Sequence, residues 1–285
     1  MVQISVGAWA ETRPAASLKS IASPSAVAVR MPILGRTFTA SVPVDDAPAS
    51  LADVVPVAWR LCDEIVRITA GQARLAGKNV PCRKGCSACC RYMVPLSVPE
   101  VFRLWQDIQA LPQRKRVEVL ADFQDAALRI IEAARTRPPV STDDAATASD
   151  EVILSAAGKW YAELALRCPF LAGDVCSFYP TRPVACRKHC VVSDPRYCSE
   201  VSSALGERLA LPIDPVRALC RLAGEMERTE PQAVLLPLAP MWALDNLHRA
   251  RRTWPARRLV TRLVEILTEQ AGEFSPPAPR DPSRA

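Results

Sequence analysis

The chain is short of glycine, aromatic rings and histidine: 10 glycines stand against 26 prolines, rings make up 6% of positions, and there are only two histidines in 285 residues. Several function classes lose their support with the features that are missing. Neither a glycine-rich phosphate loop nor a dinucleotide fingerprint occurs, so nucleotide chemistry is unsupported. No run approaches the ~18 apolar residues that a membrane-crossing helix needs, and residues 1–11 lack the basic start and apolar core of a signal peptide. No Ser, His and acidic set suggests a catalytic triad. With Ala, Leu, Val and Arg abundant and aromatics scarce, the composition favours helices over a sandwich of strands. The expected fold class is therefore mainly α.

What the chain does have is sulfur. Eleven cysteines are too few and too odd in number for a disulfide scaffold, and with no signal peptide they point to a reducing cytoplasm, where clustered cysteines bind metal or do redox chemistry. Cys82, Cys86, Cys89 and Cys90 form one nest, and Cys168, Cys176, Cys186, Cys190 and Cys198 a second. Thiolates ligate zinc and iron, and such sites are assembled from pairs two to four residues apart. Two separated nests suggest one metal site built from both, holding zinc or an iron-sulfur cluster.

Geometry constrains the first nest. A straight helix over residues 82–90 would hold Cys82 and Cys89 roughly 10 Å apart along its axis, whereas sulfurs around one zinc lie about 4 Å apart. Either the segment bends, with Gly85 as the natural place, or its thiols serve two metals. Arg83, Lys84, Arg91, Arg182, Arg187 and Lys188 flank the thiols, and cations there lower thiol pKa and offset thiolate charge. The formal charge of +6 counts every cysteine as neutral, whereas four thiolates around one divalent ion would add about two negative charges, so the expected balance is less basic. With no basic stripe interleaved with aromatics, nucleic acid is not expected as a partner. No membrane is expected either, and a protein partner is left open.

Along the chain, residues 1–25 are rich in Ala, Ser and Pro and are expected to be disordered. Residues 26–30 and 36–44 are β-prone and suggest a small N-terminal hairpin. Apolar positions recur at helical spacing from Ser50 to Gly77. Ser97 and Glu100 have the spacing of a capping box that starts a helix running to Leu111. Further helices are expected over about 113–134, 150–166, 214–228, 238–250 and 255–271, with an exposed connection at 141–149. In the second nest, Ala172-Gly173-Asp174 signals a short hairpin, and residues 184–189 a helical turn with Cys186 and Cys190 on one face. The domain plan is a single irregular helical domain over 26–272 with a cysteine core at about 80–200, and a disordered tail at 273–285.

Other residues read more plainly. His189 fits a role orienting a thiolate or facing solvent, in preference to a ligand role; His248 reads as a surface residue. Cys62 and Cys220 fall on apolar helix faces and belong to the core. Asp45-Asp46 and Asp143-Asp144 read as turn or cap residues. The basic run from Arg249 to Arg258, broken by Pro255, reads as a solvated helix junction in preference to a surface for an acidic partner or nucleic acid.

The run Cys-x3-Cys-x2-Cys-Cys at Cys82 to Cys90, followed by Cys168-Pro169-Phe170-Leu171, Cys176-Ser177-Phe178-Tyr179 and Arg182-Pro183-Val184-Ala185-Cys186-Arg187, resembles the YkgJ-like cysteine-cluster family, described as a zinc- or iron-chelating domain. The motifs span residues 80–200. The resemblance implies that Cys82, Cys86, Cys89, Cys90, Cys168, Cys176 and Cys186 are the metal ligands, with Cys198 preferred as the eighth and Cys190 an addition to the pattern. The family includes proteins labelled flagellin lysine N-methylases, so the resemblance also implies an alternative, a protein-lysine N-methylase built on this domain. No cofactor pocket for methyl transfer is recognisable in the sequence. Cys82-x3-Cys86-x2-Cys89 is also the spacing used by radical S-adenosylmethionine enzymes, but Ala88 stands in place of their usual aromatic, Cys90 would be superfluous, and no succession of strand and helix units follows.

Overall fold

A computed structural model describes residues 25–45, 47–139, 149–198 and 206–274. Strands β1 (Ala26–Ile33) and β2 (Arg36–Pro43) form an antiparallel hairpin, with Ala26 opposite Pro43 and Ile33 opposite Arg36. Leu34 and Gly35 join them, both at positive φ (48° and 77°), the two-residue turn whose twist suits paired strands. β1 alternates strictly and buries Val27, Val29, Met31 and Ile33.

β3 (Pro48–Ala49) leads to a 3-10 turn (Leu51–Val54) and then α1 (Val55–Leu75). The start is fixed locally: the Ser50 N–H and hydroxyl both donate to Asp53 Oδ2 at 2.8 Å, a capping arrangement that satisfies donors otherwise orphaned at a helix end. β4 (Pro95–Ser97) runs straight into α2 (Val98–Gln109), and α3 (Gln113–Thr136) follows after Pro112. The predicted capping box is present, with the Ser97 N–H and hydroxyl donating to Glu100 Oε2 at 3.1 and 2.8 Å. Then come α4 (Asp150–Glu163), the short strands β5 (Leu171–Ala172) and β6 (Val175–Cys176), and α5 (Val184–Lys188). The chain ends with α6 (Pro215–Glu227), β7 (Ala233–Leu235), α7 (Ala239–Asp245), α8 (Leu247–Ala250), β8 (Trp254–Pro255) and α9 (Ala256–Glu273).

The fold is mainly helical, with small antiparallel pairings: β1 with β2, β3 with β8, β4 with β7, and β5 with β6. No helix among the described residues is long and apolar enough to cross a membrane. The helix expected over 238–250 is broken at Asn246, whose side-chain amide donates to the Trp242 carbonyl at 2.8 Å. That competition between side chain and backbone splits the segment into α7 and α8.

Three apolar clusters hold these elements. One joins the β1–β2 hairpin to α1, α6 and α9, and includes Cys62 and Cys220 as the sequence predicts. A second joins α2, α3 and α7 to Phe170 and Phe178, and Trp242 packs against both. The third, Ile130, Trp160, Tyr161 and Leu166, fastens α4 to α3. Of the basic run, Arg249 pairs with the fully buried Glu227 at 2.7 Å, and Arg252 reaches the same carboxylate at 3.7 Å. Part of that run is therefore internal structure, while His248 is exposed. The segments read as disordered, 1–25 and 273–285, lie outside the described residues except for Ser25, Glu273 and Phe274. The connection at 141–149 does too, except for Ser149, as do Asp46, Asp143 and Asp144.

Candidate metal centre

The first nest folds as a succession of tight turns: Cys86 N–H donates to the Arg83 carbonyl, Cys90 N–H to Ser87 and Tyr92 N–H to Cys89, at 3.2, 2.9 and 3.1 Å. Gly85 sits at φ 90°, a conformation costly for a residue with a Cβ, so the bend falls where the spacing places it. In the second nest the Cys168 N–H donates to the Cys90 carbonyl at 3.1 Å, which joins the two nests through their backbones. Ser87 Oγ reaches Asp174 Oδ1 in the β5–β6 turn at 3.3 Å. Phe170 holds the hairpin down, its ring 5.1 Å from Phe123 and stacked at 4.2 Å on Phe178.

Two charged residues seat α5, the helix that carries Cys186. Glu100, buried at the start of α2, accepts the Val184 N–H at 2.7 Å. Arg187, also buried, bonds Asp63 Oδ2 at 2.8 Å and the Arg182 carbonyl at 3.0 Å, reaches the Pro180 carbonyl, and lies over the Trp59 ring at 5.0 Å. Such multiple satisfaction is what lets a guanidinium be buried. Beyond α5 the backbone turns extended at His189, because Val191 pairs with Arg208 and the Leu209 N–H donates to the Cys190 carbonyl. Cys190 thus leaves the helix, contrary to the expected shared helical face, and the Val191 N–H donates to the Cys82 sulfur at 3.4 Å.

The outcome is a cavity of about 240 Å³ lined by Cys82, Cys86, Cys89, Cys90, Cys168, Cys176, Cys186 and Cys190. Both nests meet there. Cys198 does not line it; it lines an adjoining cavity of about 380 Å³ together with Cys89, Cys186 and His189. Cys190, set aside by the motif, lies four residues from Cys186 and stands among the clustered thiols. Of the six flanking cations, Arg83, Arg182 and Arg187 line the thiol cavity, whereas Lys188 pairs with Asp214.

Within the cavity the sulfurs pair. The Cys190 S–H hydrogen-bonds to Cys82, which with the Val191 N–H pulls the Cys82 thiol down to about 6 against the opposing effect of burial. The Cys89 S–H does the same for Cys90, to about 7. Burial pushes Cys168 up to about 12, and raises Cys176 and Cys186 as well. Burial, followed by the charges of Arg208 and Lys188, brings His189 down to about 4. That imidazole is neutral at pH 7, and its Nε2 has no hydrogen-bond partner among the described residues. Its ring meets Tyr92 edge-on at 5.4 Å.

Among the described residues no three His, Cys, Asp or Glu side chains form a ready-made metal-holding group; the thiols are apportioned to pairs instead. The donor set nevertheless fits a thiophilic ion: all eleven cysteines are free, and two of the eight in the cavity, Cys82 and Cys90, are lowered in pKa by a neighbouring thiol. No protein-family model, no curated protein and no solved structure matches the chain.

Proposed function

We propose that this protein binds zinc or an iron-sulfur cluster through the clustered cysteine thiolates, as a structural or redox centre in the manner of the YkgJ-like family that its motifs resemble. The observation that carries the reading is that eight thiols, drawn from two segments far apart in the chain, line one cavity. Single buried cysteines serve as small apolar residues, as Cys62 does; eight around one space need another account. Cys82 and Cys90, held low by their neighbours' S–H groups, would be the first ligands, with Cys86, Cys89, Cys168, Cys176, Cys186 and Cys190 available to complete the set. Bound zinc would crosslink the two nests, and a cluster would add electron transfer. Arg83 and Arg182 would offset part of the thiolate charge, while Glu100 and Arg187 hold Cys186 in place. The expected setting is a reducing cytoplasm, where clustered cysteines bind metal or do redox chemistry.

Anaerobic purification followed by metal and sulfide analysis and a visible spectrum tests this. Brown protein with acid-labile sulfide identifies a cluster; colourless protein with stoichiometric zinc identifies a zinc site. Protein that carries neither, and takes up neither when reconstituted, refutes the proposal.

A further inference from the structure

The thiol cavity shares a wall with the larger space beside it. Cys89, Cys186, Tyr92 and His189 line both, so a molecule in the 380 Å³ cavity lies directly against the proposed centre. Two cations, Lys159 on α4 and Arg208 on the strand-like segment paired with Val191, also line that space. No carboxylate among the described residues pairs with either, and no acidic side chain among them lines the cavity. This is unusual in a chain whose other arginines are so often paired, as Arg187, Arg249 and Arg262 are. Arg208 lines this space together with Tyr92, His189 and Cys198.

We propose that this cavity binds a small organic anion, its carboxylate or phosphate held by Lys159 and Arg208 and its body lying against the wall of Cys89 and Cys186. Unpaired cations at the edge of a concave space are complementary to an anionic head group, and guanidinium is the side chain best shaped for either oxyanion. The volume, within the range of metabolite sites, exceeds what a bare inorganic ion fills, and the apolar flank at Met93 and Val94 suits a carbon skeleton. The anion's role as ligand or substrate of a metal centre rests on the thiolate reading above; its binding does not.

Isothermal titration of the full-length protein with succinate, glutarate and glycerol 3-phosphate, at low salt and again at physiological salt, tests the proposal and separates the two head groups. Saturable binding of at least one probe is expected. Lys159→Gln and Arg208→Gln should each weaken it about tenfold or more, the loss of one hydrogen bond to a charged group, whereas Arg217→Gln on the exposed face of α6 should leave it unchanged. Failure of all three probes to bind, or equal binding by the cavity variants and wild type, overturns the inference. Metal and sulfide content of the same samples reads the centre separately. Anion binding by protein that cannot take up metal supports the anion site and removes the centre, while metal-loaded protein that ignores every probe overturns the anion site alone.

Discussion

Replacing Glu100 with alanine deprives three donors of one shared acceptor: the Val184 N–H on Oε1, and the Ser97 N–H and hydroxyl on Oε2. The hydroxyl can turn elsewhere, but the two buried N–H groups cannot. Each orphaned donor costs ~1–3 kcal/mol, and relief from burying the carboxylate offsets part of the sum, so the expected loss is about 3 kcal/mol. That is a large share of the ~5–15 kcal/mol by which domains are stable. Glu100→Gln keeps the shape and one carbonyl oxygen, leaves one N–H facing an amide NH2, and should cost about half as much. The pH dependence is distinctive. Burial raises the Glu100 carboxyl above its ordinary 4.5, against the pull of Val184, Ser97 and Arg187. A folded-state pKa that is raised means the native state holds the proton more tightly than the unfolded state. The stability it contributes is therefore complete below pH 4.5 and is lost as pH rises through the folded-state value. Urea unfolding followed by far-ultraviolet circular dichroism, from acid to neutral pH, should show the deficit of Glu100→Gln largest at low pH and shrinking as pH rises. An alanine variant within about 0.5 kcal/mol of wild type, or a glutamine deficit that grows with pH, would refute the reasoning.

Phe170→Ala removes the ring that pins the second nest between Phe123 and Phe178, and should cost ~3–5 kcal/mol in urea unfolding while weakening uptake at the proposed metal centre. Arg249→Ala leaves the Glu227 carboxylate buried with only the more distant Arg252; about 3 kcal/mol should be lost, and Glu227→Gln in the same chain should restore part of it. Leu34→Asn should stabilise by about 1 kcal/mol, visible as a raised Tm, because Leu34 at φ 48° occupies a region that asparagine tolerates far better.

The Ser97–Glu100 capping box and most helix spans were readable in advance because both are local. Ser97 and Glu100 lie within one turn, and apolar residues recurring every three or four positions define a face wherever the helix packs. The pairings of β3 with β8 and of β4 with β7 were not readable, since each joins two or three residues far apart in the chain and leaves no periodicity. In the candidate site, the two nests and the bend at Gly85 followed from spacing, but which cavity Cys190 and Cys198 line did not. Their difference arises when the chain leaves α5 to pair with residues 207–209, which brings Cys190 to Cys82, while the 3-10 turn at Pro195–Cys198 carries Cys198 toward the neighbouring cavity. Arg208 had no sequence signal at all; its place lining the cavity beside Cys89 and Cys186, with no ion pair among the described residues, singles it out.

The cations that line the thiol cavity constrain how much metal the proposed centre holds. Arg187 is neutralised by Asp63, leaving Arg83 and Arg182, the latter stacked on Tyr179 at 3.9 Å. Four thiolates on one divalent ion leave a charge of about −2, which those two arginines balance. Eight thiolates on two such ions would leave about −4, and half of it would stand uncompensated in a partly buried space, where unpaired charge is costly. Burial already opposes full ionisation, because it raises Cys168, Cys176 and Cys186. For zinc, the expected occupancy is therefore about one ion per chain, with some of the eight thiols remaining protonated and open to slow alkylation in the loaded protein. Zinc near two per chain, with all eight thiols protected from iodoacetamide, would contradict the charge balance and require a second source of positive charge at the cavity.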